Sequence, residues 1–182
     1  MRLFGSDFTA RVLAASIAGT PLLLGGCGDT SARPAAPSVT LAAAIVSGDD
    51  HAVRDHIIAG TDLNAPNETG DSPLSLACVF GRHYAAEVLI DAGVDLETTN
   101  SSGATPLFNA AFFCRTEIVD LLIDAGADVT VTDQNGTPIG TIMSMPWEEI
   151  EPIYAGIYGA IGLPFDAERI RAARPGVAER LR

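Results

Sequence analysis

"NETGDSPLSLACVFG" (residues 67–81) and "NSSGATPLFNAAFFC" (residues 100–114) decide how this chain folds, because one repeats the other 33 positions later. Gly70, Gly103 and Gly136 keep that interval. So do Gly60, Gly93 and Gly126, and so do Asp62, Asp95 and Asp128. Three independent ladders with one period mark a chain built by stacking copies of one unit. The second and third units open with N-x-x-G, which is turn chemistry. Ser72 or Thr105 caps the helix that follows, and Pro73 or Pro106 suits its first position. Leu107, Ala110 and Ala111 recur at i, i+3 and i+4, one helical face, and the alanines let a second helix come close. "TEIVDLLIDAG" (116–126) supplies that second helix, with Ile118, Leu121 and Leu122 at the same spacing. Gly126 fits the left-handed position after it. "ADVTV" (127–131) then extends the chain towards the next turn.

The pattern resembles the ankyrin repeat. Ser72-Pro73-Leu74 and Thr105-Pro106-Leu107 carry the resemblance, with Gly93-Val94-Asp95 and Gly126-Ala127-Asp128. It covers roughly residues 40–150. The resemblance implies an all-α solenoid of about four helix-turn-helix units with short hairpin-like turns, over about 40–66, 67–99, 100–132 and 133–162. The first unit lacks the opening turn and reads as the N-terminal cap. The fourth begins correctly with "DQNG" (133–136) and then departs. Thr137 comes one residue early, Pro146 falls at the interhelix loop, and Pro152 lies where the second helix should run. Ser75 and Phe108 stand where the family usually has His after Thr-Pro-Leu. The resemblance therefore implies that a hydrogen-bond anchor is missing and the turns are looser. Residues 163–182 read as a C-terminal helical tail that packs on the last unit. Asp166 caps its helix, Ile170 gives it one apolar residue, and Pro175 should break it.

The chain has 182 residues and a net charge of −12, with no lysine, so all eleven basic residues are Arg. Between Thr40 and Pro164 eighteen acids face three Arg (54, 82 and 115), a net of −15. Such a surface repels phosphate, excludes nucleic acid as a partner and suits a basic one. It also serves the solubility of an exported protein.

The first 26 residues read as an address. Arg2 and Arg11 precede an apolar run, Val12 to Leu24, of 13 residues. A membrane-spanning helix needs about 20, so the run has the layout of a secretory signal and not of an anchor. It ends "LGGC" at Cys27, which resembles the bacterial lipobox. That resemblance implies cleavage before Cys27, acyl chains on it and a stable lipid anchor, at about 0.8 kcal/mol per buried CH₂. Gly28, and not Asp, follows the Cys. By the enteric sorting rule this favours the outer membrane, facing the periplasm, in an organism that has one. Residues 27–39 then form a tether rich in Pro and small residues, and about eleven such flexible residues reach roughly 20 Å.

Catalytic patterns are missing: no phosphate-binding Gly-rich loop, no G-x-S-x-G and no H-E-x-x-H. His51, Asp55 and His56 crowd the first unit, but two His five apart share a helix face poorly, and they read as surface polar residues. His83 reads as a residue of an interhelix loop. Asp62, Asp95 and Asp128 are turn residues at equivalent positions. No enzyme, no cofactor and no metal is expected. Cys78 and Cys114 lie in adjacent units about 10 Å apart, beyond the roughly 7 Å that a disulfide spans, and read as free, largely buried thiols.

Phe112 and Phe113 are adjacent, and neighbours on a helix point about 100° apart, so both cannot face one narrow core stripe. The period aligns them with Val79 and Phe80. The resemblance puts these positions on the concave face beside the turn tips, where partners dock. Val79, Phe80, Phe112 and Phe113 are thus expected to form an exposed apolar stripe, with Phe80 and Phe113 as anchors and Glu68, Asp71, Ser101 and Ala104 on its rim. The sequence reading is a non-catalytic protein-binding lipoprotein, an adaptor or scaffold at the bacterial cell envelope. Two alternatives stay open: an inhibitor or immunity protein that covers a basic toxin or hydrolase, and a protective factor for an envelope enzyme under stress.

Overall fold

The structure is a computed structural model that describes residue 35 and residues 37–182. The signal 1–26, Cys27 and the tether positions 28–34 and 36 lie outside the described residues. Nine helices and no strand occur among those described: α1 (Leu41–Ser47), α2 (Asp50–Ala59), α3 (Pro73–Phe80), α4 (His83–Asp91), α5 (Pro106–Phe112), α6 (Thr116–Asp124), α7 (Ile139–Ser144), α8 (Trp147–Ala160) and α9 (Ala167–Arg180). The fold is the expected all-α repeat solenoid.

Every described helix except α4 and α6 starts where a side chain satisfies a free N–H or where a proline stands at its entry. Thr40, Ser72 and Thr105 accept from the backbone N–H three residues on, each at 3.2 Å. Asp49 and Asp166 do the same at 3.0 Å. The first helices end in a shared closure. The N–H groups of Asp49, Arg82 and Arg115 each reach back to the carbonyl five residues earlier, at 2.9, 2.8 and 2.8 Å. This closure needs one residue in the left-handed region. Gly48 (φ 78°) and Gly81 (φ 66°) supply it in the first two units, and Cys114 (φ 52°) does so in the third.

The units stack in two rows. α1, α3, α5 and α7 pack in sequence as the inner row, and α2, α4 and α6 as the outer row. Ile45, Leu74, Leu89, Leu107, Ile118 and Leu122 are fully buried between them, as are Ala77, Ala110 and Ala111, whose small side chains set the spacing. Leu121, expected on this face, is half-exposed, because its neighbour Leu122 takes the core position.

The fourth unit has another order. α9 packs on both α6 and α7, so it stands as the second helix of that unit, with Ile170 and Val177 fully buried. Arg180 pairs with Asp120 of α6. Pro175 does not break this helix as expected; α9 runs on to Arg180. A proline inside a helix forfeits one hydrogen bond and bends the axis, and here burial of Ile170, Arg174 and Val177 along α9 outweighs that. α8 is thereby an extra helix between the two of the fourth unit. It begins after Pro146 and contains Pro152.

The turns are not loose. Asn67 Oδ1 accepts from the N–H groups of Thr69 (2.9 Å) and Asp71 (2.8 Å). Asn100 and Asp133 make the same pair of bonds to the second and fourth residues after them. These carboxamide and carboxylate turns replace the missing His as anchors. The exit aspartates are turn residues too: Asp62, Asp95 and Asp128 accept from Asn64, Glu97 and Thr130. Between units, Asn64 accepts from the Asp95 N–H and Glu97 from the Asp128 N–H, each at 2.9 Å. His56 corrects another expectation, since it is buried. Its Nε2 lies 2.8 Å from the Val39 carbonyl and its Nδ1 2.9 Å from the Thr61 hydroxyl. A carbonyl can only accept, so Nε2 carries the proton and the ring ties the start of the domain to the first exit turn. His51 and His83 are exposed.

Candidate functional site

Arginine secures the helix ends. Arg82 Nη2 donates to the Val46 carbonyl at 2.6 Å, and Arg115 Nη2 to the Val79 carbonyl at 3.0 Å. Each reaches back one unit to a carbonyl that its own helix leaves open. The guanidinium lies over the preceding glycine: a Cβ on Gly81 would come within 2.9 Å of Arg115 Nε, and one on Gly48 within 3.1 Å of Arg82 Nη1. The third level differs, because Cys114 has the side chain its counterparts lack. Arg169 comes from α9 to donate to the Cys114 carbonyl at 3.3 Å. Arg174, buried, donates to the Ile142 and Met145 carbonyls at 2.7 and 2.9 Å.

Cys114 Sγ sits 3.9 Å from the carbonyls of Phe112 and Ile170. Burial raises the pKa of its thiol and that of Cys78, so neither is a ready thiolate. Both thiols are free and buried, as the sequence led one to expect.

α8 lies over the ends of the inner row. Its buried residues, Ile150, Tyr154 and Tyr158, are spaced i, i+4, i+8 along one stripe. The Tyr154 ring packs 4.7 Å from Phe112, and Tyr158 5.3 Å from Phe113. Phe112 and Phe113 meet edge to face at 5.4 Å, and Phe108 stacks on Phe112 at 6.3 Å. This answers the question the adjacent phenylalanines raised. Both are used, because α8 adds a second apolar surface beyond the ordinary core. The expectation that Phe112 and Phe113 stand exposed is corrected: they are only 8% and 5% exposed. Burial also raises the pKa of the Tyr154 and Tyr158 phenols.

What remains open is a groove. A cavity of about 650 Å³ has turn residues Asn67, Thr69, Asp71, Asn100 and Ser102 on one side and Ile157 of α8, with Ile161 just past its end, on the other. Its floor is Leu76, Val79, Phe80, Phe108 and Asn109. A second cavity of about 440 Å³ continues it past Asp133 and Gln134 to Ile150 and Ile153, sharing Phe108, Phe112 and Ile157. Val79 and Phe80 are half-buried on this floor. Asp71 and the buried Ala104 line it, whereas Glu68 and Ser101 are exposed on the turns and border other hollows. Of the large apolar side chains left exposed, Val46, Ile153 (46%) and Ile161 (37%) all line the groove. Scattered exposed apolar residues are ordinary, and their convergence makes this groove the candidate site.

The sequence reading missed the α8 wall. A signal was there: Ile150, Ile153, Tyr154, Ile157, Tyr158 and Ile161 recur at helical spacing over three turns.

A family model described as ankyrin repeats (3 copies) matches residues 40–133. The chain belongs to the ankyrin repeat family. Ankyrin repeats generally mediate protein–protein interaction, and ankyrin-repeat proteins are typically non-catalytic binding modules. The match ends where the fourth unit begins to depart from its neighbours, so α8 and α9 lie beyond it. No curated protein matches the chain. No group of His, Cys, Asp or Glu among the described residues is arranged to hold a metal ion, and no described helix is long and apolar enough to cross a membrane.

Proposed function

We propose that this ankyrin-repeat protein is a non-catalytic adaptor or scaffold of the bacterial cell envelope. It is tethered through acyl chains on Cys27 and captures another protein in the groove between the turns and α8. The observation that carries the reading is the gathering of exposed apolar side chains, Val46, Ile153 and Ile161, in that groove beside the half-buried Phe80. A photo-crosslinking residue at position 80 should capture one protein reproducibly from intact cells. The same residue at position 58, where Ile58 lies exposed on α2 and outside the groove, should give background only. Equal capture from both positions would refute the groove as the site. The lipid anchor has its own test: Cys27→Ala should lose palmitate label and leave the membrane fraction, and a fully labelled variant would refute the anchor.

The charge of the domain favours a second reading, an inhibitor or immunity protein that covers a basic toxin or hydrolase. The captured protein separates the two. A cationic hydrolase whose activity falls on binding supports inhibition, and a partner of unchanged activity supports the adaptor.

A further inference from the structure

We infer that Asn109 is the recognition residue of the groove and that it takes a side-chain carboxamide of the captured protein, flanked there by apolar side chains. The inference rests on the proposed protein-binding function and adds the chemistry of the partner.

The repeat shows Asn109 to be out of place. Positions 33 apart hold Ala43, Leu76, Asn109 and Ile142, three apolar residues and one carboxamide. Leu76, Asn109 and Ile142 stand on α3, α5 and α7, neighbours in the inner row, and are 6%, 6% and 9% exposed. Leu76 and Asn109 line the larger cavity and Ile142 the smaller. The fold therefore takes an apolar side chain at this position, and the third unit departs from that. Asn109 gains no bond in return: its Nδ2 is buried and has no acceptor. Ser75 and Tyr154 also leave a hydroxyl unpaired, but neither lines the groove. A buried donor without an acceptor is uncommon and works against folding. The last side-chain bond of Asn has a broad, two-fold torsion, so an acceptor in the cavity can draw Nδ2 round to it.

The charge of the groove narrows the acceptor. Asp71 lines the larger cavity and Asp133 the smaller, and no basic residue lines either, so a carboxylate is repelled. Ammonium and guanidinium groups have no acceptor to offer. A carboxamide carries acceptor and donors on separate atoms, so its oxygen meets Asn109 while its N–H groups face Asp71. A hydroxyl has both on one atom. Asn109 stands on the floor between Leu76 and Ile142, a depth that a projecting side chain reaches, with apolar neighbours on either side of it.

The test uses the full chain in detergent and four labelled heptapeptides, Ser-Leu-Leu-Xaa-Leu-Leu-Ser, read by fluorescence anisotropy. The central residue is Gln, Met, Glu or Lys. The Gln peptide should bind at least about tenfold tighter than the other three. Asn109→Leu, which supplies the side chain of position 76, should reverse the order and prefer the Met peptide. Asn109→Ala, which supplies that of position 43, should lose the Gln preference without gaining another. Urea unfolding separates recognition from a structural role. Both variants remove an unpaired donor, so at least one should raise the urea midpoint of the free chain. A fall in both shows that the carboxamide serves the fold and overturns the inference. Equal binding of the Gln and Met peptides by the parent overturns it, as does a Gln preference that survives in Asn109→Leu and Asn109→Ala. If no peptide binds while position 80 still crosslinks a partner in cells, the proposed function stands and this inference falls. If the Gln preference depends on Asn109 and no partner crosslinks, the reverse holds.

Discussion

Replacing Gly81 by alanine should cost the fold more than the same change at Gly93, although both sit in the left-handed region. Their φ values are 66° and 78°. A Cβ in that conformation costs about 1–2 kcal/mol at either site. The entropy an alanine removes from the unfolded chain is common to both and cancels in the comparison. Surroundings then separate them. A Cβ at position 93 meets nothing within 4 Å, whereas one at position 81 lies 2.9 Å from Arg115 Nε and 3.0 Å from its Cζ. The guanidinium must move, and its 3.0 Å bond to the Val79 carbonyl goes with it. A bond from a charged donor is worth about 1.5–3 kcal/mol, and partial exposure of Arg115 argues for the low end. Gly81→Ala is thus expected to cost about 2–4 kcal/mol and Gly93→Ala about 1–2. In an Arg115→Ala background the excess should vanish, a coupling of about 1–2 kcal/mol. Urea unfolding of the single and double variants, followed by circular dichroism with the m-value checked for constancy, measures all of these. Equal costs at positions 81 and 93, or additive effects of Gly81→Ala and Arg115→Ala, would refute the idea that each arginine locks the unit before it.

Three further outcomes follow from the packing and the turns. Leu122→Ala should cost about 2–5 kcal/mol, because the side chain is fully buried between units, and Leu121→Ala clearly less, by the same urea titration. Backbone N–H bonds, that from Thr137 first, hold the Asp133 carboxyl below its ordinary pKa, so its contribution is complete above the ordinary carboxylate range and fades as pH falls through the lowered folded value. The melting temperature of Asp133→Asn should accordingly fall less steeply than that of the parent in the acid range, and parallel curves would contradict this. Native-state hydrogen exchange should be faster in α8 than in α3 and α5, because Pro152, Gly156 and Gly159 weaken α8 and only one of its faces is buried. Equal protection would show that its tyrosines hold it as firmly as the repeat core.

The repeat could be read because its signals are local and recur. A turn residue, a cap, a proline and a glycine each act within about five positions, and the period repeats each of them in at least two units. The site was harder to read because it depends on an element that breaks the period. Under a strict period Pro146 falls at an interhelix loop and Pro152 inside a second helix, which places residues 147–160 in the fourth unit. In the structure that place belongs to α9, and the displaced helix covers Phe112 and Phe113. The same contact accounts for Cys114. With Arg169 arriving from α9, no arginine needs to lie over this position, and a side chain stands where Gly48 and Gly81 must stay bare. The adjacent phenylalanines and the missing glycine are therefore two marks of one event, the entry of α8 and α9 against the third unit. Position by position each looked like an isolated irregularity. Placed next to each other, at 112 to 114, they show where the regular repeat stops and the wall of the groove begins.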